Sequence, residues 1–199
     1  MRLIQLASVV GCGLVFLVAG CGSGTPSGAT STTTTPAPTS ISASVPNSLS
    51  LAKLNSNPCD ALTATELQPY IGALRKSQSD PGEGANGPGC DYFPIDGNQA
   101  TIGVTALPNF GGPANLGQPG LEWSQKIGDV AGYPAEHASA AGPKGPQGGD
   151  CATVVVISNQ AAVHIYVQAA EPSYKYYTNA CAPADALAPD VIAFLKSGD

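Results

Sequence analysis

The sequence is poor in charge, and above all in positive charge. Charged residues make up 11% of its 199 residues, and only 8 are Lys or Arg. A typical soluble domain has about 25% charged residues. Nucleic-acid binding needs a basic patch, and electrostatic attraction to anionic lipid needs a polybasic segment. With a formal net charge of -6 and no basic cluster, the composition argues against both kinds of partner.

Recognisable motifs for catalysis and metal binding are also scarce. The sequence has no G-x-S-x-G nucleophile elbow, no C-x-x-C pair and no phosphate-binding glycine loop behind a strand. Its two histidines, His137 and His164, do not have the spacing of metal ligands. We therefore predict no catalytic residue, no metal site and no cofactor.

The N-terminal segment carries the strongest signal in the chain. Arg2 is followed by an apolar stretch that ends in LVAGC at residues 17–21. This pattern is typical of a secretory signal, and its end has the layout of a bacterial lipobox. In a lipobox the cysteine receives a diacylglyceryl group, which anchors the protein on the extracytoplasmic face of the cell membrane. We predict a signal peptide over residues 1–20 and lipidation of Cys21. A retained membrane helix and an unlipidated secretory signal are the alternatives.

The composition changes again after Cys21. Residues 21–50 are rich in Ser, Thr and Pro and have few side chains that could form a core. Such a segment cannot offset the entropy cost of ordering itself. We predict a flexible, lipidated linker over residues 21–50 and one extracytoplasmic domain over residues 51–199. The same composition is typical of O-glycosylated stalks.

The predicted domain has an even number of cysteines, namely Cys59, Cys90, Cys151 and Cys181. In an oxidising compartment they are expected to form disulfides, and four cysteines allow three pairings. We favour Cys59–Cys90 with Cys151–Cys181, because each pair joins the start of a helix to the start of a strand. Each encloses roughly thirty residues, and the chain-entropy model gives such a loop about 3.5 kcal/mol of stabilisation.

Local patterns predict the helices and strands. Thr63 and Glu66 form a capping box at the start of a helix. Residues 161–169 alternate strictly, with Val163, Ile165 and Val167 on one face of a strand and His164, Tyr166 and Gln168 on the other. Residues 77–89 and 108–120 are predicted as loops and residues 121–127 as a short helix with Trp123. Because it contains Pro134, the strand at residues 130–138 is expected at a sheet edge.

These patterns predict an α+β domain. Its antiparallel sheet has about five strands, N- and C-terminal helices pack on the sheet, and two disulfides join them. A chain of this length can bury a sizeable core. We therefore expect the disulfides to add resistance to a harsh exterior and not to replace a missing core.

Four motifs occur in a fixed order behind the lipobox and linker. They are NPCDALT at residues 57–63, GPGCDY at 87–92, GYPA at 132–135, and CATVVV at 151–156 followed by Cys181. This order resembles the actinobacterial lipoproteins of the domain-of-unknown-function 3558 family, which includes the LprB/LprC-type lipoproteins of mycobacteria. Tyr92 stands where members of that family tend to carry an aromatic residue, often Trp. The resemblance implies a surface lipoprotein and implies no catalytic residues.

We predict a membrane-anchored cell-envelope lipoprotein that is not an enzyme and serves as a binding or adaptor module. Its partner is expected to be an envelope protein or a small apolar ligand. Tyr174, Tyr176 and Tyr177 form an aromatic cluster that we interpret as a candidate binding surface, since tyrosines are enriched at interfaces. The alternatives are a cell-wall hydrolase, which would need His137 or His164 beside an acid or a hydroxyl, and a structural subunit of an envelope complex.

Overall fold

The computed structural model describes residues 44–97, 99–118, 123–139 and 148–198. The predicted signal peptide, Cys21 and the predicted linker up to residue 43 lie outside these residues. No helix in the described part of the chain is long and apolar enough to cross a membrane.

Seven strands of the described residues form one antiparallel sheet in the order β1-β2-β3-β7-β6-β5-β4. The strands are β1 Leu74–Asp80, β2 Gly89–Pro94, β3 Thr101–Leu107, β4 Trp123–Val130, β5 Tyr133–Ser139, β6 Asp150–Val156 and β7 Ala162–Gln168. The antiparallel α+β architecture is confirmed, but the prediction of about five strands is wrong. The two hairpins β2–β3 and β6–β7 are joined through the β3–β7 pair at the centre of the sheet.

Both missed strands lie at the edges of the sheet. β1 falls partly in the predicted loop 77–89, and six of its seven residues are exposed, so its sequence has no apolar alternation to detect. β4 replaces the predicted helix around Trp123. Because β4 occupies this edge of the sheet, β5 is not an edge strand, contrary to the prediction. Pro134 is accommodated there because it lies beside the register shift between Ile127 and Val130, where the ladder is already interrupted.

Three α-helices occur in the described residues, α1 Ala52–Ser56, α2 Ala64–Ile71 and α3 Cys181–Lys196, with 3-10 turns at Pro58–Asp60 and Pro113–Asn115. The predicted capping box opens α2: the Glu66 N–H donates to Thr63 Oγ1 at 3.3 Å, and the Thr63 N–H donates to Glu66 Oε2 at 2.6 Å. Gly72 follows the last turn with a φ of +69°, a conformation that favours glycine.

The core lies between the helices and one face of the sheet, which we call the helix face. α3 packs across β6 and β7. It buries Leu187 and Val191 against the central strands, where Val163, Ile165 and Val167 are fully buried. The apolar side of the predicted β7 alternation therefore faces the helices, as a half-covered antiparallel sheet requires.

Both predicted disulfides are present. Cys59, in the first 3-10 turn, is bonded to Cys90 on β2, and Cys151 on β6 is bonded to Cys181 at the start of α3, each with a Cα–Cα distance of 5.0 Å. Each bond ties a helical segment to the start of a strand.

Residues 44–50, at the end of the predicted linker, pack on the sheet. The Leu49 N–H donates to the Ile157 carbonyl at 2.9 Å, and the Tyr133 hydroxyl donates to the Asn47 carbonyl at 2.8 Å. Val45 is only 5% exposed. The folded domain therefore includes residues that the composition alone assigned to the linker.

Candidate functional site

On the sheet face opposite the helices, which we call the open face, a tyrosine ring packs directly against a glycine. Asp91 on β2, Gly103 on β3 and Tyr166 on β7 are direct cross-strand neighbours. A Cβ atom added to Gly103 would lie 2.2 Å from the Tyr166 ring, so only glycine leaves room for the ring in this position. The Tyr166 hydroxyl donates a hydrogen bond to the Asp91 carboxylate. Burial, reinforced by Asp91, raises the pKa of Tyr166.

His164 lies beside Tyr166 on the same face of β7. The two rings are stacked with centroids 5.3 Å apart. Burial lowers the pKa of His164 to about 4, although Asp150 acts in the opposite direction. The imidazole is therefore neutral at pH 7, and one ring nitrogen is a hydrogen-bond acceptor.

The stacked rings form a wall between two cavities. The larger cavity, about 360 Å³, has mostly polar or aromatic side chains in its lining, among them Asp80, Glu83, Asp91, Thr105, His164 and Tyr166. The second cavity, about 230 Å³, lies on the other side of the rings and reaches Ala152 and Gln168. We call the larger one the Tyr166 cavity. Concave sites with a few converging polar groups are the usual location of small-molecule binding.

A loop covers another part of the open face. Glu136 on β5 is 3% exposed, and its carboxylate accepts the Gly117 N–H at 2.5 Å. Burial raises the pKa of Glu136, while the Gly117 hydrogen bond and the nearby Lys126 charge oppose that rise. Leu116, the preceding residue in the chain, is also buried. Glu136 thus holds this loop on the sheet beside the two cavities.

The helix face has a polar cluster of its own around Asp185 of α3. The Asp185 carboxylate contacts His137 Nε2 at 2.7 Å and accepts the Thr153 hydroxyl at 2.7 Å, both through the same oxygen. The Trp123 ring is stacked on His137 with centroids 6.5 Å apart. In a nucleophilic triad the histidine stands between the acid and the hydroxyl. Here the carboxylate stands in the middle, so the cluster fixes α3 to β5 and β6.

Ser50 and Lys53 have the S-x-x-K spacing of Ser–Lys hydrolases, but the structure separates their functional groups. Lys53 Nζ donates to the Phe194 carbonyl at 3.1 Å and to Ser197 Oγ at 2.5 Å. Ser50 Oγ accepts the Ala52 N–H at 3.1 Å, at the start of α1. Lys53 thus connects α1 to the C-terminal end of α3, whereas the Ser50 hydrogen bond lies within its own segment.

The three tyrosines of the candidate binding surface lie in different surroundings. Tyr174 is only 2% exposed and belongs to the core. The Tyr176 ring packs on Tyr70 with centroids 6.0 Å apart. Tyr177 lies over Gly149, where an added Cβ would be 2.7 Å from its ring. A binding surface on the half-buried Tyr176 and Tyr177 stays a prediction, and Tyr174 does not contribute to it.

Comparison with known proteins identifies the family. The chain matches the family described as "Protein of unknown function (DUF3558)" over residues 16–193. This chain belongs to the DUF3558 family. The match begins before Cys21, so the region aligned with the family includes the lipobox-like sequence as well as the folded domain. No curated protein and no solved structure matches the chain.

For this DUF3558 protein, sequence reasoning did not identify Asp91, Gly103 and Tyr166 as a site. Two signals pointed to it. Gly103 interrupts an otherwise apolar and β-branched strand, which is typical of a close approach to that strand. The β7 alternation placed Tyr166 and His164 on the face away from the core. The sequence alone does not show how β2, β3 and β7 are aligned with one another. This register is what brings the three residues side by side.

Proposed function

We propose that this protein is a lipid-anchored, extracytoplasmic lipoprotein of the cell envelope whose domain is a non-catalytic binding module for a small polar ligand. The observation that carries the binding proposal is the Tyr166 cavity, because its ring wall is fixed by Gly103 and Asp91 before any ligand arrives. Pre-organised polar groups in a concave site favour binding. This proposal replaces the expected apolar ligand with a polar one, since polar side chains dominate the lining.

Cys21 and the residues before it support the anchoring part of the proposal. A diacylglyceryl group provides two acyl chains, which is enough for stable membrane attachment. The lipobox-like sequence, the family match from residue 16 and the two disulfides agree with a lipoprotein held outside the cytoplasm. We also propose an actinobacterial origin and a relationship to the LprB/LprC-type lipoproteins, on the order of motifs between residues 57 and 181.

The hydrolase remains the second candidate because each histidine has an acid or a hydroxyl nearby. Asp185 contacts His137, and Tyr166 stacks on His164. Neither arrangement places a histidine between a carboxylate and an aliphatic hydroxyl, which general-base activation of a nucleophile needs. A structural subunit of an envelope complex is the third candidate, and it would need no ligand in the Tyr166 cavity.

Membrane anchoring is tested with the full chain expressed in an actinobacterial host. We expect Cys21→Ser to abolish partition into a detergent phase and to remove the diacylglyceryl mass from the protein. Cys12→Ser is the matched control, since Cys12 lies in the predicted signal peptide and should leave no trace in the mature protein. Equal partition of wild type and Cys21→Ser would contradict the lipid anchor.

Ligand binding is tested by native mass spectrometry of the protein purified from its own envelope. We expect a discrete added mass on the wild type and its loss in Tyr166→Ala. Tyr176→Ala is the control, because Tyr176 packs beside Tyr70 and does not line the Tyr166 cavity. A wild-type domain without added mass would favour the third candidate, a structural subunit of an envelope complex. Loss of the added mass in Tyr176→Ala alone would move the site to the tyrosine cluster.

A further inference from the structure

We propose that the ligand of the Tyr166 cavity is an organic cation, a small molecule that carries an ammonium or guanidinium group. This inference rests on the proposed function and names the class of ligand for the same site. It is carried by three features of the cavity: the sign of its charges, its aromatic wall, and the unused hydrogen-bonding groups beside that wall.

The charges around the cavity all have one sign. Asp80 at the end of β1, Glu83 in the following loop and Asp91 on β2 line it, and no lysine or arginine occurs among its described lining residues. His164 is neutral at pH 7 and adds no positive charge. Carboxylates around a concave, partly desolvated site concentrate their field there and attract a cation.

The aromatic wall suits a cation as well. The face of a tyrosine ring attracts an ammonium or guanidinium group, more strongly where the group is shielded from water. Gly103 and Asp91 hold the Tyr166 ring in one position, so a ligand need not order it. In the described part of the chain, the His164 ring nitrogens and the Thr105 hydroxyl have no hydrogen-bond partner. Both can accept a hydrogen bond from a cationic N–H.

A bare metal ion fits the cavity less well. Metal sites bring three or more ligands to a single point. Among the described residues no such group of His, Cys, Asp or Glu side chains exists. The three carboxylates instead come from separate segments around a volume of about 360 Å³. That volume accommodates a charged head group together with the carbon atoms attached to it.

The experiment compares three probes of similar shape, which are butylammonium, 1-butanol and butyrate. Binding to the full chain in detergent micelles at low salt is followed by the ring proton resonances of His164. The chain has two histidines, so a His137→Gln spectrum assigns these resonances. We expect saturable shifts with butylammonium, weakening at high salt, at least about tenfold weaker binding of 1-butanol, and no binding of butyrate.

Asp91→Asn is the test variant, because the amide retains an acceptor for the Tyr166 hydroxyl while the charge is lost. We expect it to weaken butylammonium binding about fivefold, the effect of one partly exposed ion pair. Asp129→Asn is the matched control, since Asp129 is an exposed acid on β4 at the far edge of the sheet. It should leave the affinity unchanged.

The outcomes separate this inference from the proposed function. Butylammonium binding that depends on Asp91 and not on Asp129 supports the cation site. Binding of 1-butanol or butyrate as tight as that of butylammonium overturns the cation class and leaves the binding module in place. Absence of any shift with butylammonium also overturns the cation class. The native mass experiment on Tyr166→Ala then decides separately whether the cavity binds another ligand.

Discussion

The two faces of the sheet differ in what they bury. The helix face buries large aliphatic side chains, with Val163, Ile165 and Val167 of β7 fully covered. The open face of the same strand presents His164 and Tyr166, both half-buried, beside Gly103 of β3. One strand thus alternates between side chains that stabilise the fold by leaving water and side chains whose burial costs free energy.

The difference indicates where function lies in this domain. A polar group that is partly buried without full compensation weakens the fold, and such groups concentrate at binding and catalytic sites. On the helix face the polar cluster of Asp185, His137 and Thr153 is closed by its own hydrogen bonds. On the open face the Tyr166 cavity keeps carboxylates and a neutral imidazole at its surface. The following predictions test this division.

The largest effect is expected when two adjacent residues of β7, Ile165 and Tyr166, are replaced separately by alanine. Ile165→Ala should lower the free energy of unfolding by about 4 kcal/mol, because it leaves a cavity in a fully buried part of the core. Tyr166→Ala, on the open face, should cost less. Urea unfolding followed by circular dichroism measures both. If the tyrosine variant loses as much stability as Ile165→Ala, the open face belongs to the structural core and the division fails.

The second effect concerns the disulfide that fixes α3 to the helix face. The double variant Cys151→Ala/Cys181→Ala should lose about 3.5 kcal/mol of unfolding free energy, because the unfolded chain regains the entropy of the closed loop. Cys59→Ala/Cys90→Ala is the matched control, with a sequence separation of 31 against 30. Similar losses in both would support the entropic origin. No loss in either variant would contradict a stabilising role for the disulfides.

The third effect comes from filling the space at Gly103 that the Tyr166 ring occupies. Gly103→Ala should destabilise the protein by about 2 kcal/mol, because the new methyl group overlaps the Tyr166 ring. Gly128→Ala on β4 is the control, with nothing within 4 Å of the added Cβ, and should be close to neutral. Adding Tyr166→Ala to Gly103→Ala should recover part of the loss. Strictly additive costs in thermal or urea unfolding would show that the two residues do not interact.

The smallest effect is a pH dependence from His164. Its pKa is about 4 in the folded protein, against 6.5 for the unperturbed side chain. Between these values the unfolded state binds a proton that the folded state does not, so unfolding free energy falls as pH falls. His164→Gln should therefore lose less stability than the wild type between pH 7 and pH 4.5. His137→Gln serves as the control, and an identical pH profile for wild type and His164→Gln would contradict the lowered pKa of His164.

The sequence predicted the parts of this protein that depend on local chemistry. The capping box at Thr63 follows from side chains three residues apart, and the β7 alternation follows from the period of two in a strand. Loop length and the starts of the elements favour the pairing of Cys59 with Cys90, and the structure confirms it. In the first two cases the decisive neighbours are close in the chain, whereas the two cysteines are 31 residues apart.

The errors fell where local patterns are weak, although β1 and β4 pair with the strands that directly follow them in the chain. β1 has almost no apolar residues, and β4 follows a loop rich in glycine and proline, so only the ladders with β2 and β5 reveal them as strands. Tertiary pairing overrides weak local preference at such edges. The sequence by itself determined the family and the apolar side of the central strand, and it favoured the cysteine pairs that the structure has. Only the tertiary structure placed Asp91, Gly103 and Tyr166 side by side, because the register between non-consecutive strands is set by the packing of the whole sheet.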